Sequence, residues 1–360
     1  MALRWGIASA GNISSDFVQA LKGLPPGEHR VVAVAARALQ RSAVAPFGPT
    51  SLQLLLFSCR AQEFAGRHDV DRPYEDYRAL AQDPDVQVVY VGAVNSQHFE
   101  VATLMLQHGK HVLCEKPLAL NERQARRMVE LARSRNLFLM EGIWSRFFPV
   151  YRRVRQLLDA SAVGEPRFVS TAFGDRLEDL DRVKRKELGG GATLTLGVYM
   201  LQLQQLVFGN LQPLKVAVAG HTNEEGVDVA AAATFTYPGQ KIAVLSCNAS
   251  LEMPNEALII GTTGAIRIPD FWCPTSFSLN GEVRKMPLLD NQGPFNYQNS
   301  AGLAYEAAEV RRSILAGEIE SPQMTHKESI QLAGWMDLIR KELGVKFRCD
   351  FEDWDSSELN

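Results

Sequence analysis

The sequence predicts two units in tandem: a parallel, doubly wound α/β sheet, then an α+β unit built on an antiparallel sheet. Three observations predict this. The chain has 360 residues, more than one ordinary core organises, so about two domains are expected. Over the first 145 residues, short Val- and Ala-rich runs alternate with helical patterns, the rhythm of βαβ units. After Phe148-Pro149 the rhythm changes to successive strands separated by turns.

Residues 3–8 read as a short buried strand, followed by a tight turn, Ser9-Ala10-Gly11-Asn12, and a helix from Ile13. Strands follow at 30–36, 86–91, 110–114 and 138–141. The clearest helix covers 121–134, where Asn121 can cap and Gln124 stands three residues on. Residues 42–59 are too long for a crossover loop. They hold Pro46, Gly48 and Pro49, then the apolar run Leu52-Gln53-Leu54-Leu55-Leu56-Phe57. The next helix reads from Arg60 to His68. The second unit opens with a helix over 151–160 and a strand over 167–173. The glycine run Gly189-Gly190-Gly191 leads to a helix ending near Phe208. Strands then succeed one another from 215 to 279, broken by turns such as Tyr237-Pro238-Gly239. Helices over 304–316 and 326–343 follow. The expected domains are 1–145, with 42–59 as an insertion, and 146–350, with 351–360 an acidic tail.

Composition narrows the function. The chain is 46% hydrophobic and 22% charged with net charge −3, a globular balance with no nucleic-acid or membrane signature. The apolar run at 52–57 is far too short to span a bilayer. Five scattered cysteines form no CxxC or Cys/His pair, so no metal site is expected and a reduced, cytoplasmic compartment is the simplest reading. Met1-Ala2-Leu3-Arg4 runs straight into a strand, with no secretory pattern.

Five motifs carry chemistry. Gly6-Ile7-Ala8-Ser9-Ala10-Gly11-Asn12-Ile13 follows a strand and opens a helix. A pyrophosphate needs this side-chain-free approach to helix N–H groups, so Gly6, Ala8, Gly11, Asn12 and Ile13 are expected at a dinucleotide. The second strand ends at Arg37, with Arg41 close by. An acidic residue there binds the ribose hydroxyls of NAD, whereas a guanidinium suits the 2′-phosphate of NADP. After the third strand come Asn95 and His98, either facing a cofactor or, for Asn95, capping the next helix. Glu115-Lys116-Pro117 directly follows the fourth strand, at the sheet edge where ligands bind in such folds. Finally, the glycine run precedes Thr195 and Tyr199, which at i, i+4 spacing share a helix face. Tyrosine is a poor base at its free pKa, but a nearby lysine favours the phenolate and makes it a usable acid–base.

Together these motifs resemble the Gfo/Idh/MocA oxidoreductase family. The carriers are MALRWGIASAGNISSDF, VVAVAAR, LCEKP, FLMEGIWSRFFP, GGGATLTLGVY, WCPT and SAGLAYEA, and the resemblance runs from Met1 to about Phe347. It implies a Rossmann domain, then a domain with a large open sheet, and dimerisation through the faces of that sheet. It further implies NADP-dependent oxidation of trans-dihydrodiols of aromatic hydrocarbons to catechols, and of D-xylose and similar aldoses to lactones. Carried over, Tyr199 is the acid–base and Lys116 the lysine that supports it and touches the cofactor. His98 and Tyr90 are coenzyme positions, and Arg37 meets the 2′-phosphate. Trp144, Arg146, Phe147 and Trp272 lie near the substrate.

Three departures from the family pattern stand out. The family places an acid one turn before the tyrosine, where this chain has Thr195. Loss of one positioned polar group commonly lowers a rate about 10²-fold or more. Asn95 stands where a close relative has a histidine, although asparagine is common there in the wider family. Residues 42–59 have no family counterpart, and they split the arginine-rich loop so that either Arg41 or Arg60 is the second phosphate arginine. A second reading therefore stays open: a catalytically weak paralogue that binds NADP(H) as a sensor or structural partner.

Overall fold

Runs of small and β-branched residues bounded by glycine turns form the first sheet. A computed structural model of the chain describes residues 2–36, 51–291 and 293–351. Arg37, Arg41, the first part of the insertion and the tail beyond Phe351 lie outside the described residues. The first unit comprises Met1–Glu115, Arg127–Gly142 and Leu289–Pro322. Its elements are β1 (Leu3–Ala8), α1 (Asn12–Leu21), β2 (His29–Ala35), α2 (Ser51–His68), β3 (Arg72–Tyr74), α3 (Tyr77–Gln82), β4 (Val88–Val91), α4 (His98–Gln107) and β5 (His111–Glu115). Helix α5 (Glu122–Ser134) leads to β6 (Leu139–Gly142). The six strands are all parallel, in the order β3-β2-β1-β4-β5-β6. That is the order of a dinucleotide-binding doubly wound sheet. Strands β4 and β6 are buried along their whole length, as sheets covered on both faces require.

Three details differ from the sequence reading. Strand β3 and helix α3 are new, because a three-residue strand with half-exposed polar ends carries no period to read. Helix α2 begins at Ser51 rather than Arg60, so the apolar run belongs to the crossover helix; Arg60 lies exposed on it. The chain also returns to the first unit over Leu289–Pro322, where α9 (Leu303–Leu315, numbered in chain order) packs beside α1. The cap on α5 stands where expected, with the Asn121 Oδ1 accepting from the Gln124 N–H at 2.9 Å.

The second unit comprises Lys116–Arg126, Ile143–Leu288 and Gln323–Asn360. Its elements are α6 (Pro149–Asp159), β7 (Pro166–Gly174), α7 (Asp181–Lys184), α8 (Val198–Phe208), β8 (Lys215–Thr222), β9 (Asp228–Tyr237), β10 (Lys241–Asn248), β11 (Glu256–Gly261), β12 (Ala265–Pro269), β13 (Ser276–Leu279), β14 (Glu282–Lys285) and α10 (His326–Glu342). The eight strands run β14-β13-β12-β11-β7-β10-β9-β8, antiparallel except for β7 beside β10. One face packs under α8 and α10, burying Val169, Phe235 and Leu245. The other face presents the row Ala217, Thr234, Val244, Ser170 and Leu258, set by strand register and half-buried or exposed.

Candidate active site

The phosphate turn is built by packing as much as by openness. A Cβ on Gly6 would stand 2.9 Å from Val86 Cγ1 and 3.0 Å from Leu80 Cδ1, so this glycine fits β1 to its neighbours. Gly11 is different. It N-caps α1, no side chain caps that helix, and the nearest atom to an added Cβ is Ser9 Oγ at 3.7 Å. Ala8 is fully buried below the turn, while Asn12 and Ile13 open the helix. Such an open, uncapped N-terminus suits a pyrophosphate. Gly92, just after β4, escaped the sequence reading: a Cβ there would lie 2.5 Å from Ser14 Oγ, so glycine lets β4 meet the first turn of α1. Asp16 also escaped it. Its carboxylate, buried on α1, accepts from Asn296 N–H (2.8 Å), Asn296 Nδ2 (2.6 Å), Tyr297 N–H (3.0 Å) and Ser300 Oγ (2.6 Å). No local pattern links residues about 280 positions apart.

Asn95 opens a short 3-10 turn ahead of α4, and Gln97, at the N-cap position of that helix, makes no side-chain cap bond. His98 is buried, with Nε2 bonded to the Ala93 carbonyl at 3.0 Å. Tyr90 is fully buried too: it stacks on Phe17 at 3.9 Å between centroids, and its hydroxyl donates to Glu115 at 2.7 Å. Burial and the Glu115 charge hold the Tyr90 phenol well above its usual range. Glu306 on α9 belongs to the same buried group. Neither of its oxygens has a hydrogen-bond partner among the described residues, and burial with the Glu115 charge drives its carboxyl well above normal.

That displacement makes a stability prediction. The folded state holds the Glu306 proton more tightly than the unfolded chain. Stability is therefore full below the ordinary carboxylate range and falls as pH rises toward the raised folded value. Each tenfold in proton affinity is worth about 1.4 kcal/mol. Glu306→Gln is expected to melt close to the parent at acid pH and above it at alkaline pH; a melting difference that does not grow with pH would refute the assignment.

In the second unit Lys116 follows β5 and reaches two groups. Its Nζ donates to the Thr195 main-chain carbonyl at 3.0 Å and lies 4.7 Å from the Tyr199 ring centroid. Tyr199 is 7% exposed, on the first turn of α8, edge-on to Phe173 at 5.9 Å. Trp272, half-buried, stacks on Phe173 at 4.5 Å, and Phe271 meets both. The pair thus stands against an aromatic wall. Phe173, central to it, was read only as the end of a strand.

Thr195 does not stand on regular α-helix. Residues Thr193–Gly197 form a π-helical stretch, in which the Val198 N–H reaches back five residues to the Thr193 carbonyl. It is the Thr195 carbonyl, not its side chain, that meets Lys116, so this contact does not depend on the residue type. The glycine run is also explained within the unit. A Cβ on Gly190 would collide with the Val183 carbonyl, and one on Gly191, at φ 121°, would stand 2.5 Å from Asp228 Oδ1.

Three expected substrate residues are buried. Trp144 is 7% exposed against Phe148, and Phe147 is fully covered. Arg146 directs its guanidinium inward: Nε to Gln202 Oε1 (2.9 Å), Nη1 to the Gln323 carbonyl (3.2 Å) and Glu328 Oε1 (2.8 Å), Nη2 to the Gln202 carbonyl (3.1 Å) and Gln205 Oε1 (2.8 Å). Five donors meet five acceptors. Arg146 is therefore a tie inside the unit rather than an open cation. Burial raises the Glu328 carboxyl, but Arg146 and the Thr325 cap outweigh it and leave it below its usual range. Among the described residues no cluster of His, Cys, Asp and Glu could hold a metal ion, and no helix is long and apolar enough to cross a membrane.

Comparison with known proteins agrees with the architecture. Residues 3–143 match the oxidoreductase family with an NAD-binding Rossmann fold, and residues 151–267 match the GFO/IDH/MocA C-terminal domain. The chain is 43% identical over 351 residues to trans-1,2-dihydrobenzene-1,2-diol dehydrogenase of Danio rerio, covering 97% of this chain and 99% of that protein. It is 40% identical to the Homo sapiens protein of the same name, with the same coverage. A 3-ketoreductase from Actinomadura kijaniata, solved with NADP and TDP-benzene, superposes with a TM-score of 0.76 at 25% identity, covering 95% of this chain and 98% of that one. With both domains matched and identity sustained along nearly the whole chain, this protein belongs to the Gfo/Idh/MocA family of nicotinamide-dependent oxidoreductases.

Proposed function

We propose that the protein is an NADP-dependent dehydrogenase. It oxidises trans-dihydrodiols of aromatic hydrocarbons to catechols, and D-xylose or similar aldoses to lactones. The observation that carries this reading is Lys116 Nζ held over the Tyr199 ring by the Thr195 carbonyl, beside the stacked Phe173 and Trp272. The substrate carbinol docks between Lys116 and Tyr199. Tyr199 removes the hydroxyl proton, and the Lys116 ammonium favours the phenolate that accepts it. NADP, when bound, supplies the acceptor for the hydride that leaves carbon. A dihydrodiol loses two electrons and two protons to a hydroxyketone, whose tautomer is the catechol. The aromatic wall offers a planar ring an edge or a face to stack on. Gly11 and the open end of α1 suit the pyrophosphate, and Arg37 at the end of the second strand favours NADP over NAD. The names of the relatives and the NADP in the ketoreductase structure support the same choice.

The Lys116 contact at Thr195 is made through the main chain and so survives the departure in residue type, while the missing acid is what the turnover assay tests. We further propose a homodimer through the open face of the eight-stranded sheet, whose row of alanine, threonine, valine and leucine suits a second copy. One preparation tests both. With NADP⁺ and a trans-dihydrodiol it is expected to form NADPH, more slowly with NAD⁺, and to sediment with the mass of two chains. NADPH binding by fluorescence without turnover of any diol or sugar would replace the reading by that of a cofactor-binding paralogue. A single-chain mass would remove the dimer.

A further inference from the structure

In a regular α-helix each main-chain carbonyl accepts from the N–H four residues on. The stretch Thr193–Gly197 breaks that ladder, and the widened turn carries the Thr195 carbonyl that meets Lys116. Such single wide turns inside a helix are rare and frequently mark functional sites, so what holds this one is of interest. Among the groups in contact with it is Asp228, the first residue of β9, which bonds the first residue of the stretch directly. Its Oδ2 accepts from both the N–H and the hydroxyl of Thr193, each at 2.6 Å. Asp228 is 1% exposed, and its Oδ1 has no hydrogen-bond partner among the described residues. Gly191 admits it, since a side chain there would stand 2.5 Å from that same oxygen.

A neutral cap such as serine or asparagine would satisfy the Thr193 N–H with far less desolvation. The charged carboxylate holds both donors of Thr193 more strongly than an amide oxygen in its place would, so the hydroxyl is kept from bonding a carbonyl of its own turn. Burial drives this carboxyl above its usual range, and the two Thr193 bonds hold it lower than burial alone would.

We propose that Asp228 is a positioning residue of the dehydrogenase reaction: through Thr193 it sets the wide turn, and through that turn it places the Thr195 carbonyl that holds Lys116 over Tyr199. The inference rests on the reading of Lys116 and Tyr199 as the proton-handling pair. It deepens that reading by naming what the pair depends on two contacts away.

The experiment compares Asp228→Asn, Thr193→Val, Thr193→Ser and Tyr199→Phe in the full chain. Asp228→Asn and Thr193→Val are expected to lower kcat by roughly 10- to 10²-fold, the scale of a small misplacement of a catalytic group. KM for the diol and NADPH binding by fluorescence should change little. The acid limb of the kcat–pH profile should move to higher pH, because a displaced ammonium favours the phenolate less. Thr193→Ser, which keeps both donors, should recover most of what Thr193→Val loses. If Asp228→Asn does not fold, the Thr193 pair carries the test alone. A lowered melting temperature with parental kcat and pH profile would show a purely structural role and overturn the proposal. Turnover retained by Tyr199→Phe would overturn the underlying reading, and the proposal with it. An inactive Tyr199→Phe beside a parental Asp228→Asn and Thr193→Val overturns the positioning role only.

Discussion

Tyr199→Phe is expected to lower kcat with NADP⁺ and a trans-dihydrodiol by about 10²–10⁴-fold, the usual contribution of a positioned acid–base. The change removes one hydroxyl and leaves the scaffold. The ring still packs edge-on to Phe173, and the Lys116 ammonium still lies over an aromatic face, a contact that phenylalanine also makes. The Thr195 carbonyl still accepts from Lys116. NADPH affinity should therefore stay near the parental value, and so should the melting temperature. The loss should appear in kcat and kcat/KM together, as for a group needed only while the proton moves. Near-parental turnover would sink the mechanism; equal losses in NADPH binding and turnover would point to a scaffold role for the ring.

The largest expected effect on stability is at Arg146. Arg146→Met keeps the length of the side chain but leaves the Glu328 carboxylate and the amide oxygens of Gln202 and Gln205 without their donor in a buried setting. Removing one partner of a buried ion pair typically destabilises by about 3–5 kcal/mol. Glu328 also loses the charge that keeps its carboxyl low, so burial then governs it and the group holds a proton at higher pH. In the parent, the stability from Glu328 is present above the ordinary carboxylate range and lost only as pH falls through the lowered folded value. In the variant only the share of that contribution made by the Thr325 cap is left. Urea unfolding should show the lowered midpoint, and Glu328→Gln added to Arg146→Met should restore part of it. A loss under about 1 kcal/mol, the ordinary outcome for a point substitution, would mean that Arg146 is not the tie the geometry describes.

The contrast between Arg146 and Tyr199 shows where a residue's type is enough and where it is not. Both stand in stretches that mark the family, and both are polar groups expected near substrate. Only the contact list separates them: one guanidinium faces five internal acceptors, while one phenol stands beside a lysine and an aromatic wall. Thr195 makes the same point from the other side. Its side chain departs from the family's acid, yet the group that meets Lys116 is its carbonyl, which no substitution removes.

The sequence by itself determined the strand–helix rhythm of the first unit, the change to successive strands in the second, the turn before α1 and the places of Lys116 and Tyr199. These are local properties: hydrophobic period, glycine at a turn, a lysine at a strand's end. The tertiary structure alone decided how α1 is tied by Asp16 to Asn296 and Ser300, how Glu306 comes to share a buried group with Tyr90 and Glu115, and how Asp228 reaches Thr193. Each of these joins residues far apart in the chain. Burial turns such a meeting into an energetic one, because a carboxylate out of water must find donors or keep its proton. Spacing along a sequence holds no record of which distant donors it will find.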